Sequence, residues 1–277
     1  MKYLKLIGLI LLFLLLYYVV QTALFMVIGI IESVKLMLDG QQLNPDSIVE
    51  IISGSMGLVI FLSGIITFLL YMLIYKIRKR NIFTTCGFSS VGFGKLFTIG
   101  LFGIALNLFT VTTLYTTSIY KYFPEHSELI EALIGNNSFI VTLLTVGIIA
   151  PLFEEILFRG MIYNELKEHM KVNAVIVIQA LLFAIYHMNI LQGLYAFVLG
   201  IFLGLVYRWY KSIWAPIAIH VLYNSTSVVI SRVLGDAFIS QYGLYILIFS
   251  LFALAGFTFV LYKGRTVDLQ QVCEPAE

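Results

Sequence analysis

The sequence predicts an all-α, polytopic membrane protein, a bundle of about eight transmembrane helices. Of its 277 residues, 60% are hydrophobic and only 12% are charged, whereas soluble domains carry about 25% charged residues. Apolar runs long enough to cross a bilayer recur along the chain, and only short polar gaps separate them. These gaps leave no room for a separate soluble domain, so we expect one integral membrane domain over residues 1–277.

Each predicted span is an apolar run that ends at charged or turn residues. The first run follows Lys2 and Lys5; it is too long for the apolar region of a signal peptide, so we expect a retained span. The fifth and sixth runs are short, about 22 Å against a hydrocarbon core of about 30 Å. This hairpin should sink into the bundle, thin the bilayer or extend into its flanks. The predicted spans are about 6–31, 58–75, 96–114, 139–158, 174–188, 193–207, 213–231 and 244–262.

The gaps between the spans differ in charge. Basic residues concentrate at the N-terminus and in alternate gaps, and acidic residues dominate 32–50 and 125–131. Because basic loops stay on the cytoplasmic side, we expect both termini in the cytoplasm, and the plasma membrane if the source is bacterial. The basic segments are 76–95, 159–171, 208–211 and 263–265.

Two other features of the gaps lead to predictions. Between residues 120 and 138, Pro124 and Gly135 bracket a short amphipathic pattern that predicts an interfacial helix. His126 and His169 lie in charged segments, so we expect both to be solvated.

Several catalytic classes lack their signatures in this sequence. The two cysteines, Cys86 and Cys273, lie outside the predicted spans, which disfavours both a disulfide framework and a thiol nucleophile, so we expect no role for them. There is no GxSxG elbow and no HExxH helix, so serine and thermolysin-like zinc mechanisms are disfavoured. The net charge of +2 does not indicate a nucleic acid partner, and membrane lipid is the expected surrounding.

Two adjacent carboxylates, Glu154 and Glu155, lie near the end of the fourth predicted span. Ionisable groups at membrane depth are energetically expensive, so the pair indicates a functional site, although an interfacial ion pair is the structural alternative. Arg159 stands four residues after Glu155, the favourable orientation for an ion pair on one helix face. Glu154 points about 100° away and lacks such a partner. We therefore expect Glu155 to be neutralised and Glu154 to be available as a base.

Spans five and seven carry polar residues at a spacing of four. His187 follows Phe183, and Asn224 follows His220, so each pair shares a helix face. A single buried histidine or asparagine often only packs helices together. Two histidines, an asparagine and an acid pair on three helices favour a catalytic site instead.

These motifs, in this order, resemble those of the CAAX protease and bacteriocin-processing family of intramembrane proteases, also called the Abi family. The motifs are EExxxR at 154–159, FxxxH at 183–187 and HxxxN at 220–224, and the resemblance covers about residues 139–231. It implies an eight-helix endopeptidase that acts on a peptide or a lipidated protein. The residues that it implies as catalytic are Glu154, Glu155, Arg159, His187, His220 and Asn224.

The resemblance also implies a role for each of these residues. Glu154 and His187 would activate water, His220 and Asn224 would stabilise the oxyanion, and the Glu155 ion pair would organise the site. Elementary chemistry agrees, since burial makes a carboxylate a stronger base and an asparagine amide suits an oxyanion hole. We expect the groups to converge in a wet cavity open to the cytoplasm. Counted from the predicted helix ends, Glu154 and His220 lie about 8 and 10 Å deep, but His187 lies about 20 Å deep.

Alternatives from other classes remain open. Glu154, His187 and His220 with a water could hold a catalytic zinc ion, although the favoured mechanism needs no cofactor. The same fold could also serve a non-proteolytic regulator, bacteriocin-immunity factor or scaffold. A transporter is disfavoured because the sequence shows no internal repeat and no pair of broken helices.

Overall fold

The computed structural model describes residues 2–40, 42, 44–131 and 137–265. Within these ranges the chain is helical and has no β-strand, which confirms the all-α class. Seven helices are long and apolar enough to cross a membrane, and an eighth is apolar but shorter. The helices are α1 (Lys2–Leu38), α2 (Pro45–Ile77), α3 (Ile82–Cys86), α4 (Phe93–Thr116), α5 (Pro124–Ile130), α6 (Phe139–Lys167), α7 (Val172–Tyr186), α8 (Ile190–Tyr210), α9 (Trp214–Leu234) and α10 (Gly235–Lys263).

All eight predicted spans coincide with a helix, but the predicted end of the fourth span was wrong. The helix does not stop at Phe158, because α6 continues to Lys167 through the second of two π-helical turns, Ile156–Ile162. Sequence reasoning ended the span where charged residues begin. In the structure Arg159 and Glu165 are buried and paired, so they extend the helix into the bundle instead of ending it.

The turn between α7 and α8 is tight and α7 is short, as predicted, but the prediction that the sixth span is short was wrong, because α8 has 21 residues. Helix α7 has fifteen residues, which cover about 22 Å. Asn189 begins α8, where its side-chain oxygen accepts a hydrogen bond from the backbone N–H of Gln192 at 3.0 Å. The short turn leaves His187 at the C-terminal end of α7.

Ion pairs join the loop after α2 to the end of α6. Glu165 is buried and accepts two hydrogen bonds from Arg78, and Arg80 forms a bidentate pair with Glu168. The hydrogen bond from Arg80 lowers the pKa of the Glu168 carboxyl. Two of the segments assigned to one side by their basic residues therefore meet at one end of the bundle. Which compartment this end faces stays a prediction.

His126 is buried, so the prediction that it is solvated was wrong. It is only 7% exposed, and its ring lies 5.8 Å from that of Tyr195 in α8. Burial lowers its pKa, while a side-chain hydrogen bond with Asn189 acts in the opposite direction. Helix α5 confirms that the first part of this predicted segment is helical. Its interfacial position stays a prediction, and Gly135 lies outside the described residues. The prediction failed because it rested on the charged residues next to His126 in the sequence, which do not reveal that α5 packs on the turn between α7 and α8.

Cys86 ends α3 and is buried against α6. A Cβ atom at Gly160 would lie 2.6 Å from its sulfur, so the thiol packs directly on α6. Burial raises the pKa of the Cys86 thiol to about 12, which agrees with the prediction that it is no nucleophile. Cys273 lies outside the described residues.

Helices α4 and α9 cross at a position that only glycine tolerates. A Cβ atom at Gly103 would lie 2.3 Å from the carbonyl oxygen of Ile219. We expect Gly103→Ala to push the helices apart and to destabilise the protein by about 1–3 kcal/mol. Because Ile219 precedes His220, the change should also lower any activity. Thermal unfolding of the purified protein in detergent measures the first effect.

Gly256 in α10 provides the matched control, because a Cβ atom there would meet nothing within 4 Å. Gly256→Ala should leave the unfolding temperature unchanged or raise it slightly, since alanine favours helix. Equal unfolding temperatures in the two variants would contradict the close crossing of α4 and α9.

Candidate active site

Glu155 and Arg159 form a fully buried ion pair on α6. Glu155 Oε1 lies 2.8 Å from Arg159 Nη1, and both side chains have 0% exposure. This contact confirms the pairing predicted from their spacing. The guanidinium also donates to the backbone carbonyl of Gly200 at 3.3 Å and lies 4.5 Å from the centroid of the Phe183 ring. The buried charge is thus balanced by a carboxylate, a carbonyl and an aromatic face.

Gly200 on α8 combines close helix packing with a polar role. A Cβ atom there would lie 3.0 Å from Ala180 and 3.3 Å from Arg159 Nη2, so the absence of a side chain lets α7 and α8 approach. Its carbonyl oxygen also accepts a hydrogen bond from Gln179 at 2.8 Å. Sequence reasoning missed this polar role, and the only signal was a glutamine inside an otherwise apolar helix.

His220 on α9 contacts both carboxylates. Its Nδ1 lies 2.7 Å from Glu155 Oε1, and its Nε2 lies 3.7 Å from Glu154 Oε2. Because a carboxylate oxygen only accepts, Nδ1 carries a hydrogen, and Nε2 is the atom that faces Glu154. The sequence did not predict the contact with Glu155, which orients the ring.

Glu154 lies in a different environment from Glu155. Its Oε2 is buried and has no hydrogen-bond partner among the described residues, and the side chain is 17% exposed. The two adjacent acids therefore differ in their partners as the sequence predicted: Glu155 is paired with Arg159, and Glu154 is not. Each acid has one buried oxygen, Oε2, without a hydrogen-bond partner among the described residues. A buried carboxylate oxygen without a hydrogen-bond donor is energetically costly. We therefore expect a water molecule or a ligand to donate a hydrogen bond to this oxygen of Glu154.

His187 approaches this group from α7. Its Nδ1 lies 2.8 Å from the carbonyl oxygen of Phe183, which places the hydrogen on Nδ1 and leaves Nε2 available. The Phe183 ring contacts both imidazoles edge-on, with centroid distances of 4.7 Å to His187 and 5.6 Å to His220.

The observed helix ends remove the expected mismatch in depth. Glu154 lies about 20 Å from the end of α6 at Lys167, and His187 lies about 22 Å from the start of α7. The count from the sequence put Glu154 only about 8 Å deep because the fourth span was ended too early. Counted from the observed helix ends, Glu154 and His187 lie at similar distances from the connection between α6 and α7.

Asn224 lies one turn beyond His220 on the same face of α9. Its amide donates to the carbonyl oxygen of Val146, at 3.1 Å, in the first π-helical turn of α6. An asparagine amide has two hydrogens, so one remains for another acceptor. The residue links α9 to the turn that precedes the acid pair.

Two cavities, of about 490 and 450 Å³, lie elsewhere in the described part of the chain and are not lined by Glu154. The predicted wet cavity open to the cytoplasm stays a prediction. Among the described residues, no group of three His, Cys, Asp or Glu side chains is arranged to hold a metal ion. Zinc dependence is a question for experiment.

The motif-bearing region is similar to a known family of membrane proteins. Residues 136–226 match the family model of type II CAAX prenyl endopeptidase Rce1-like proteins, which confirms the resemblance over this region. A similar protein is the membrane-embedded CAAX protease MroQ of Staphylococcus aureus (strain USA300), 34% identical over 90 residues. The match covers 30% of this chain and 36% of that relative. No solved structure matches the chain significantly.

Proposed function

We propose that the chain is an intramembrane endopeptidase that hydrolyses a peptide bond of a membrane-associated peptide or protein. The observation that carries the proposal is the division of labour in the acid pair: Glu155 is fully buried and bound by Arg159 and His220, whereas Glu154 is 17% exposed, has no arginine partner and faces Nε2 of His220 at 3.7 Å. A partly exposed carboxylate beside an imidazole is suited to general-base catalysis. The match to an endopeptidase family over the same residues supports this reading.

In the proposed reaction, Glu154 accepts the first proton. Its carboxylate takes a proton from water while the water oxygen bonds to the carbonyl carbon, and the C=O electron pair moves onto the oxygen. The tetrahedral intermediate then collapses, the C–N bond breaks, and the amine leaves with the proton that Glu154 held. In this scheme His187 orients the same water through its Nε2 atom.

His220 and Asn224 are the proposed oxyanion donors. Glu155 holds the hydrogen on Nδ1 of His220, so donation from Nε2 requires the imidazolium form. Two carboxylates and one guanidinium carry a net charge of −1, and a protonated His220 makes the cluster neutral. Asn224 can add its second amide hydrogen.

The depth of the site restricts the substrate. Glu154 lies about 20 Å from the end of α6, so the scissile bond must enter the bundle. A peptide or lipidated protein that is already at the membrane can do this without the cost of moving a polar chain from water. We propose that it enters from the cytoplasmic side, in agreement with the distribution of basic residues.

Comparative peptidomics of membranes that contain the wild type or Glu154→Ala tests the proposal. We expect a peptide product that depends on Glu154, and its ends would identify the bond that is cut. Identical peptide pools, together with an unchanged cellular phenotype, would instead favour a regulator or scaffold on the same fold.

Hydrolysis is expected to survive exhaustive chelation, because the proposed base and oxyanion donors are side chains of the protein. The measurement compares product formation before and after dialysis against a strong chelator, with and without added zinc. Loss of activity that zinc restores would replace water activation by Glu154 with a metal mechanism.

A further inference from the structure

Gln179 is a buried carboxamide inside α7, about one turn before Phe183. Its side chain has 0% exposure. Its Nε2 atom donates a hydrogen bond to the carbonyl oxygen of Ile176 on its own helix and another to that of Gly200 on α8, each at 2.8 Å. Because both neighbours are carbonyl oxygens, which only accept, the orientation of the amide is fixed. An apolar side chain would fill this position without burying a polar group, so packing alone does not explain the residue.

The carbonyl oxygen of Gly200 joins Gln179 to the buried ion pair. Arg159 Nη2 donates a hydrogen bond to the same oxygen at 3.3 Å. The other terminal nitrogen of the guanidinium, Nη1, lies 2.8 Å from Glu155 Oε1, and this carboxylate oxygen lies 2.7 Å from His220 Nδ1. An unbroken chain of hydrogen bonds therefore leads from the amide on α7, through α8 and α6, to the imidazole on α9.

Two glycines on α8 make room for this chain of hydrogen bonds. A Cβ atom at Gly204 would lie 2.7 Å from Gln179 Nε2, and one at Gly200 would lie 3.3 Å from Arg159 Nη2. The spacing of four puts both glycines on one face of α8. Small residues at such a spacing let helices approach closely in membranes. Here the same glycine pair allows both the close packing of the helices and the positions of the two donors.

We infer that Gln179 is a positioning residue of the active site that acts on His220 through this chain of hydrogen bonds. Its amide holds the carbonyl oxygen of Gly200, which is an acceptor of Arg159. The guanidinium in turn holds Glu155 Oε1, the atom that orients the imidazole. The catalytic consequence rests on the proposed function, in which His220 stabilises the oxyanion. Without the amide, the guanidinium has a less constrained acceptor, and we expect the imidazole to lose its single orientation.

Gln179→Met tests the inference, with Tyr71→Phe as the matched control. Methionine keeps the unbranched shape of glutamine, and the change removes Gln179 Oε1, a buried oxygen without a hydrogen-bond partner among the described residues. The variant should therefore accumulate in membranes like the wild type. Tyr71→Phe removes an equivalent bond outside the chain of contacts, since Tyr71 on α2 donates at 2.7 Å to the backbone carbonyl of Phe13 on α1.

We expect kcat of Gln179→Met to fall about tenfold at a KM within about twofold of the wild type, because a misoriented oxyanion donor affects the transition state more than substrate binding. Tyr71→Phe should keep both constants within about twofold of the wild type. Gly204→Ala is a second, independent variant. It retains the amide but places a methyl group against Gln179 Nε2, so it should also lower kcat.

A second measurement does not depend on activity. In protein that carries isotope-labelled histidine, the hydrogen on Nδ1 of His220 gives a nuclear magnetic resonance signal, identified by its loss in His220→Gln. The position of this signal responds to the hydrogen bond with Glu155. It should move in Gln179→Met and in Gly204→Ala and stay in place in Tyr71→Phe. Movement of the signal in a protein that cleaves nothing would refute the proposed function but leave the link from Gln179 to His220 intact.

Three results would overturn the inference. One is a His220 signal at its wild-type position in whichever of Gln179→Met and Gly204→Ala accumulates. Another is an active Gln179→Met with the kcat of the wild type. The third is failure of both variants to accumulate in membranes while Tyr71→Phe accumulates normally, because the amide would then serve the fold instead of His220.

Discussion

Glu154→Gln is expected to accumulate in membranes like the wild type and to lose about 10²- to 10⁴-fold in kcat for peptide hydrolysis, the usual contribution of a general base. Glutamine keeps the shape of the side chain but cannot take a proton from water. The fold should not suffer, since Glu154 makes no ion pair with Arg159 and one of its oxygens has no partner among the described residues. The measurements are turnover of a substrate identified by peptidomics, membrane abundance and thermal unfolding.

Glu128→Gln is a suitable control because Glu128 is exposed on α5, away from the acid pair. It should keep both activity and abundance. An active Glu154→Gln would remove Glu154 from the mechanism. An inactive variant that also fails to accumulate would show that Glu154 supports the fold, which would contradict the division of labour between the two acids.

Arg159→Ala is expected to lower the amount of folded protein strongly. The change leaves Glu155 buried with only His220 as a partner, and breaking a buried ion pair typically costs about 3–5 kcal/mol. Such a loss is a large part of the 5–15 kcal/mol that usually stabilises a protein. It also removes the guanidinium from Gly200 and from the face of Phe183. Membrane abundance and thermal unfolding measure the effect.

Arg208→Ala is the matched control, because Arg208 is exposed and its guanidinium donates a hydrogen bond to the side chain of Asn173. It should remain stable. The double variant Glu155→Leu, Arg159→Leu removes both buried charges and should recover part of the abundance without recovering activity, since His220 then lacks the acceptor that orients it. Full activity in the double variant would contradict the organising role of the pair.

Local spacing along the chain was enough to predict several features of the fold and of the site. Long apolar runs require helices in a membrane because backbone polar groups must be satisfied within the segment. The spacing of four between Glu155 and Arg159 fixed their contact, since neighbours on one helix face meet whatever surrounds them. The same helical geometry separated Glu154 from this pair.

How the helices meet depends on contacts between distant parts of the chain. Whether His220 faces Glu155 and whether the carbonyl of Gly200 reaches Arg159 depend on the rotation and the axial offset of each helix. His126 shows the same limit, because its burial comes from the packing of α5 on a distant turn. Periodicity within one helix does not fix its offset from another helix. The end of α6 was predicted too early because the sequence does not show that its charged residues are paired inside the bundle.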